Sequence, residues 1–563
     1  MFPPPRKYRL MQGTCDLSLA AVERVLNPLL SPEAYRLSIS TDRILMEAAG
    51  EGGLFIASQT LRQIRLLAGS TCNCLKIEDE PELGIRGYML DISRCKVPRM
   101  EQLFRLVDLL ALFKYNQLQL YTEHTFAYRG HEAVWADASP MTPDEIRELD
   151  VYCRTRHIEL VPNQNAFGHM ERWLRHPEYQ HLAESPDGFQ HPIAGWKPFG
   201  STLAPGPESV AFIDELLDQL LPCFQSDWVH LGCDEPWELG QGKSEFSVLE
   251  EGRHAVFLGH VRELQGLAAR RGKHMLFWAD ELYSNPEQIR DYPAGIIPVV
   301  WGYETGHDFE SVCSAFSDEG YAFLVTPGDS TWNSFTGRLE TSLANIRHAV
   351  DAAARHLALG AFLTGWGDNG HQQPWPTQLP ALAAFGAVAW NRNSLSDDLN
   401  LNHCLLAEAL DRFVFLDEHS FMGNFWCSLG RLDAAIPVKL NEANSSFPYD
   451  ALYAPRNRLR HVVRPLGEEA FFPALAQLES FERQLNKTKC GCPDADWILK
   501  EGRLAIGLTR FGIKRAEAVL KGHDPRSVMS GFEEIILAFE KAWLRRFRKG
   551  GLLESRDRLA GAL

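Results

Sequence analysis

From residue 87 onward the chain alternates short apolar runs with amphipathic stretches eight times over, and no other feature narrows the fold so far. The apolar runs fall at 88–92, 117–121, 159–162, 228–232, 274–278, 296–301, 322–325 and 361–364. Helical spacing fills most of the gaps, at 99–113, 143–156, 208–221, 250–271, 309–317 and 341–356. Eight strand–helix units predict an α/β fold, a (β/α)8 TIM barrel, which typically takes about 250 residues plus insertions. An open doubly wound sheet would rarely need eight such strands, and no Gly-rich phosphate loop follows the first of them.

The flanks read differently, and they divide the chain into 1–82, 83–378 and 379–563. Residues 34–40 and 43–48 alternate apolar and polar positions, as two half-buried strands joined at Thr41-Asp42. Gly50-Glu51-Gly52-Gly53 breaks that pattern, and 54–67 follows with helical spacing, which makes 1–82 a small α/β domain. After residue 378 strand signals fade. The stretches 379–420, 465–485 and 497–546 read as helices with mixed faces, which pack on the barrel and offer a homodimer surface. The basic run 545–549 reads as a solvated helix end, where cations suit the helix dipole.

Barrel sites form at the carboxyl ends of the strands, so the residues there carry the functional signal. The fourth apolar run, WVHLGCDE at 228–235, ends in two adjacent carboxylates, Asp234 and Glu235. Neighbouring side chains of an ideal strand point to opposite faces, so both can meet one ligand only where the strand gives way to a loop. The first run ends in Asp91-Ile92-Ser93-Arg94, the second in Glu123-His124, and the third leads to Gly168-His169. The fifth gives Trp278-Ala279-Asp280-Glu281 and the sixth Trp301-Gly302-Tyr303-Glu304. The seventh leads to Asp329-Ser330-Thr331-Trp332-Asn333 and the eighth to Trp366-Gly367-Asp368-Asn369. Indoles beside carboxylates at one mouth describe a pyranose pocket: flat apolar walls with polar groups that grip hydroxyls.

His-x-Gly-x-Asp-Glu at His230, Gly232, Asp234 and Glu235 resembles the end of the fourth barrel strand in glycoside hydrolase family 20, the β-N-acetylhexosaminidases. The strand–strand–helix segment 33–64 and GYMLDISR at 87–94 are similar to the same family. The resemblance covers roughly 33–378 and implies an exo-acting enzyme that removes terminal β-GlcNAc or β-GalNAc by a retaining, substrate-assisted route. It implies Glu235 as general acid and base, and Asp234 as the group that holds the 2-acetamido substituent. Arg94 would grip ring hydroxyls, His169 support the acidic pair, Trp278, Trp301 and Trp366 box in the sugar, and Asp368 bind a hydroxyl. Mutual repulsion of adjacent carboxylates is expected to keep Glu235 protonated near neutral pH. Two departures stand out. The second strand ends in Glu123-His124 where the family commonly has paired acids, and the seventh lacks the usual Tyr, whose place Trp332, Asn333 or Tyr303 could take.

Composition limits the rest. A net charge of −16 argues against nucleic-acid or anionic-membrane partners, and no cofactor or metal is implied. Twelve Cys without metal-ligand spacing suggest reduced thiols in a cytoplasmic protein, and the N-terminus lacks the apolar core of a signal peptide. Two other readings stay open. A glycosidase for a non-acetylated sugar would use Asp234 or Glu281 as nucleophile. A non-catalytic sugar-binding protein would use the same pocket.

Overall fold

The computed structural model describes residues 1–193, 195–282 and 286–563. Eight parallel strands form its central sheet: Ile85–Asp91, Gln117–Tyr121, Glu159–Val161, Trp228–His230, His274–Trp278, Ile296–Trp301, Leu324–Thr326 and Gly360–Gly365. They follow chain order around a ring, with the eighth strand paired to the first. The third and fourth meet through one bridge, Asn163 to His230. There the His230 N–H donates to the Pro162 carbonyl and the Gln164 N–H to the His230 carbonyl, both at 2.9 Å, which closes the barrel. Parallel strands are covered on both faces, which is why the chain spells them as nearly unbroken apolar runs such as IIPVVW. Inward-facing Met89, Leu276, Val299, Leu324 and Phe362 fill the barrel below a layer of indoles.

Boundaries differ from the apolar runs where pairing rather than hydropathy decides. The first strand starts at Ile85, not 88, because Arg86 and Gly87 already pair with the eighth strand. The fourth stops at His230 because Gly232 turns into the left-handed region at φ 66°. The expected helix 250–271 is two helices, Glu245–Glu251 and Arg253–Arg270, divided where Gly252 takes φ 90°.

The N-terminal residues build a five-stranded sheet in the order Lys7–Asp16, Thr71–Asp79, Tyr35–Ile39, Arg43–Ala48, Ala21–Leu26. The two expected strands are its centre, and the helix Glu51–Ala68 packs on them. Of the glycines read as a break, Gly50 caps that helix and Gly52 and Gly53 lie inside it: a Cβ on Gly53 would stand 2.7 Å from the Ala48 Cβ, so Gly brings helix and sheet close. Three strands escaped the sequence reading. Ala21–Leu26 is exposed along its whole length and Lys7–Asp16 along most of it, so neither carries an alternation. Buried charges fix this sheet to the barrel. Arg86 forks onto Glu33 at 2.9 and 3.0 Å, and Lys114 pairs with Asp79 at 2.8 Å.

From Leu379–Trp390 to Leu552–Ala560 the described residues form helices that share one apolar core with the outer layer of the barrel. The run 545–549 is not merely a solvated helix end. Arg546 is buried and forks onto Glu501 at 2.6 Å on each nitrogen, and it also bonds Gln102 of the first barrel helix at 2.9 Å. Arg548 binds Glu145 at 2.8 Å and the Pro140 carbonyl at 2.7 Å. Removing one partner of a buried ion pair strands the other charge in a medium that cannot solvate it, at a cost of about 3–5 kcal/mol. Arg546→Ala should therefore lower the thermal midpoint well below that of an exposed Arg545→Ala control. Equal midpoints in differential scanning calorimetry would show that the latch does not hold the helices down.

Candidate active site

The site begins with a backbone that breaks the rule of alternation. Beyond His230 the chain takes φ values of 66° at Gly232, 74° at Cys233 and 47° at Glu235. Left-handed conformations cost non-glycine residues roughly 1–3 kcal/mol each, so packing must enforce them. Two glycines permit that packing. A Cβ on Gly232 would lie 1.5 Å from the Asn165 Oδ1, and one on Gly168 would lie 2.1 Å from the Asp234 carbonyl oxygen. The kink turns both carboxylates to one side. His169, itself at φ 55°, meets both: its Nε2 is 3.1 Å from Asp234 Oδ2 and 3.4 Å from Glu235 Oε2.

This contact reverses the expected protonation of Glu235. Burial alone would raise its carboxyl, but the hydrogen bond and charge of His169, with Arg94 behind them, hold it below the usual glutamate range. Burial would likewise drain the proton from His169, but Asp234 and Glu235 outweigh it and push the imidazole well above its ordinary value. With no ligand bound, the proton thus sits on His169 rather than on Glu235. Repulsion between adjacent carboxylates does not dominate, because the hydrogen bond and charge of His169 outweigh it. His230 differs: buried and bonded through Nδ1 to the Asn163 amide at 2.8 Å, it is driven down to about 3 by desolvation and stays neutral.

Around the pair lies an open cleft of about 530 Å³, solvent space at its mouth included. Arg94 and Asp368 form one wall, with Arg94 Nη2 3.8 Å from the Asp368 carboxylate. Arg94 Nη1 stands 3.3 Å from both Asp91 and Glu123, and the guanidinium carbon lies 5.0 Å from the Tyr121 ring and 5.2 Å from the Trp366 ring. Asp91 in turn accepts from the Gly367 N–H at 3.0 Å, which ties the first strand end to the eighth. The opposite wall is aromatic. Trp301 and Tyr303 stack with centroids 5.2 Å apart, Tyr303 meets Trp332 edge-on at 5.2 Å, and Trp278 lies 6.0 Å from Trp366. Asp234 Oδ1 and Trp278 Nε1 are among the buried polar atoms of cleft residues that have no hydrogen-bond partner among the described residues. Buried polar atoms are rarely left unpaired, and such atoms in a cleft mark where a ligand would bond.

Asn333 is not brought into the cleft. Its amide is spent on tethering, accepting from Asn369 at 3.0 Å and donating to the Asn444 carbonyl at 3.0 Å. Glu281 also stays outside, paired with Arg253 at 2.7 Å. Three contributors were not singled out from the sequence. Asp280 accepts from the Glu235 N–H at 3.1 Å and the Trp301 Nε1–H at 3.3 Å, and burial, then the charge of Asp234, raise its carboxyl well above the usual range. Its place directly after Trp278-Ala279 was a readable signal. Glu123 braces Arg94, as its position at the second strand end allows. Asn444, from the C-terminal region, lines the cleft and carried no signal at all.

Comparison with known proteins adds the following. The family model described as glycosyl hydrolase family 20, catalytic domain, matches residues 84–342, and the one described as glycosyl hydrolase family 20, domain 2, matches residues 7–80. Hexosaminidase D of Bos taurus is 26% identical over 313 residues, 51% of this chain and 86% of the relative. A β-hexosaminidase of Akkermansia muciniphila is 30% identical over 264 residues, but the match spans only 42% of this chain and 52% of that protein. Among solved structures, a β-N-acetylhexosaminidase from Bacteroides fragilis superposes with a TM-score of 0.59 at 18% identity, covering 73% of this chain and 94% of that one. A Flavobacterium johnsoniae chitobiase gives 0.58 at 15% identity, covering 97% and 98%. At these identities the superpositions speak for the fold.

The glycine contact at the carboxylate pair is open to test. Gly168→Ala forces the His169 loop away from the Asp234 backbone, so the imidazole loses its two anionic neighbours. Its titration, followed by NMR, should fall toward the ordinary histidine value while the far-UV spectrum stays native. An unchanged His169 titration would show that the close approach does not set the geometry.

Proposed function

Because this chain belongs to glycoside hydrolase family 20, we propose that it removes terminal non-reducing β-GlcNAc or β-GalNAc with retention, the substrate's own acetamide acting as nucleophile. The observation that carries this reading is the convergence of Asp234 and Glu235 on His169 within a cleft walled by indoles. Asp234, with an unpaired oxygen, accepts from the acetamide N–H and offsets positive charge as the acetamide oxygen closes on the anomeric carbon. Glu235 takes over the proton that His169 holds in the free enzyme and delivers it to the departing glycosidic oxygen, then removes a proton from the incoming water. The indole walls exclude water and strengthen both charge effects. Arg94 and Asp368 hold ring hydroxyls, and Tyr303, whose ring faces the cleft beside Trp301, takes the place of the missing seventh-strand Tyr. None of these steps calls for a cofactor or metal. Of the two carboxylates that a carboxylate-nucleophile route could use, Glu281 is bound to Arg253 outside the cleft, which leaves that route only Asp234.

Two finer points belong to the same reading. A cytoplasmic location is supported by twelve free cysteines, most of them buried. A homodimer through the C-terminal helices is supported by Leu537, Leu544 and Leu553, all large apolar side chains exposed there. Among the described residues no helix is long and apolar enough to cross a membrane.

The reaction is tested with aryl β-GlcNAc, β-GalNAc and β-glucose substrates and a thiazoline inhibitor. Turnover of the two acetamido sugars alone is expected, blocked by the thiazoline and reduced about 10²- to 10⁴-fold in Glu235→Gln. Asp234→Asn should also lose turnover. Cleavage of the glucoside without thiazoline inhibition would overturn the acetamide nucleophile.

The pH profile carries a second test. The last proton of the His169–Glu235 pair leaves with the raised affinity of His169, so the alkaline limb of kcat/KM should lie above the ordinary histidine range. In His169→Gln that proton is held by Glu235 alone. Freed from the imidazolium, Glu235 titrates higher than before but remains a carboxyl, so the alkaline limb should move toward acid. A limb that stays in place would remove His169 from the proton inventory.

A further inference from the structure

One residue that lines the cleft, Asn444, comes from the C-terminal region, well beyond the residues that either family model matches. The segment 441–446 crosses from the C-terminal helices to the mouth of the barrel and is clamped there by its backbone. The Asn444 N–H donates to Glu304 Oε1 at 2.8 Å, and Glu304 is held in turn by the buried Arg338 at 2.8 Å. The Asn444 carbonyl accepts from the Asn333 amide, and the Ser446 N–H donates to the Asn333 carbonyl, both at 3.0 Å. Asn444 itself is left-handed, at φ 59°. An exposed loop residue bonded on both sides of its peptide and held in a sparse conformation is over-determined by its surroundings, and such positions concentrate at ligand clamps.

The clamp leaves one group over. Every hydrogen bond of Asn444 among the described residues uses its backbone, which leaves its carboxamide unengaged, and the exposed residue lines the cleft together with Trp301, Tyr303 and Trp332. We propose that the Asn444 carboxamide is a specificity-determining group of this pocket, hydrogen-bonded to the hydroxyl on C6 of the bound sugar. The assignment rests on the hexosaminidase reading and follows by elimination from it. Asp234 takes the acetamide on C2, Glu235 the oxygen on C1, and Arg94 with Asp368 the hydroxyls on C3 and C4. The hydroxymethyl oxygen remains, and an amide can both donate to a hydroxyl and accept from it. The C-terminal region is then part of the binding site and not only a support for the barrel.

The test compares aryl β-GlcNAc with its 6-deoxy analogue, using wild type and Asn444→Ala, with thermal midpoints measured in parallel. One neutral hydrogen bond is worth roughly a tenfold difference in kcat/KM. Wild type should prefer the parent substrate by about that factor, and Asn444→Ala should lose the preference by falling on the parent alone, at an unchanged midpoint. A variant that falls equally on both substrates, or a wild type indifferent to the 6-hydroxyl, would overturn the proposal. A wild type that cleaves neither acetamido sugar would instead sink the hexosaminidase reading, and this assignment with it.

Discussion

The contact of His169 with both Asp234 and Glu235 is the interaction on which the rest of the site depends. Adjacent residues of a strand cannot share a face, and two ionised carboxylates in one pocket repel unless a cation offsets them. The chain meets the first condition by ending its fourth strand at His230 and running through a left-handed kink, and the second by seating an imidazole across both acids. Gly168 and Gly232 are the sterically required part, since any side chain at either would collide with the opposing segment. Local strain is held by the barrel: the same segment closes the ring through the Asn163–His230 bridge.

Electrostatics at the mouth forms a chain rather than a set of isolated pairs. Asp91 and Glu123 brace Arg94, Arg94 reaches Asp368, and Asp280 stands behind the Glu235 backbone and the Trp301 indole. The direction of each shift follows from the neighbour that prevails. Glu235 lies low because a cation touches it, while Asp280 lies high because burial and another anion do. Carboxyl groups of the same kind, a few residues apart in space, are thus set to opposite protonation states by what faces them.

The helical region after the barrel is bound to it by charge as well as by apolar packing. Arg546 and Arg548 reach into the first and second barrel units, and the Asn333–Asn444 exchange ties the seventh strand end to the segment before Phe447–Tyr453. Asn333 shows how residue type alone misleads. An amide at a strand end reads as a ligand group, but this one bonds two protein partners and does not line the cleft.

The barrel was legible because parallel strands covered on both faces must be apolar throughout, and the strand-end residues were legible because barrel topology brings those ends together. The sequence by itself therefore determined the eight units, the Asp234–Glu235 pair, Arg94, His169 and the indoles. Edge strands such as Ala21–Leu26 were hidden because exposed strands need no apolar face, and Arg546 because charge within a basic run does not announce burial. Only the tertiary structure decided the protonation of Glu235, which turns on a contact between residues 66 positions apart, and the arrival of Asn444 beside strand ends 111 residues away in the chain. Local pattern encodes which face of an element is buried. It does not encode which distant group will be packed against it, and in this site that neighbour sets the chemistry.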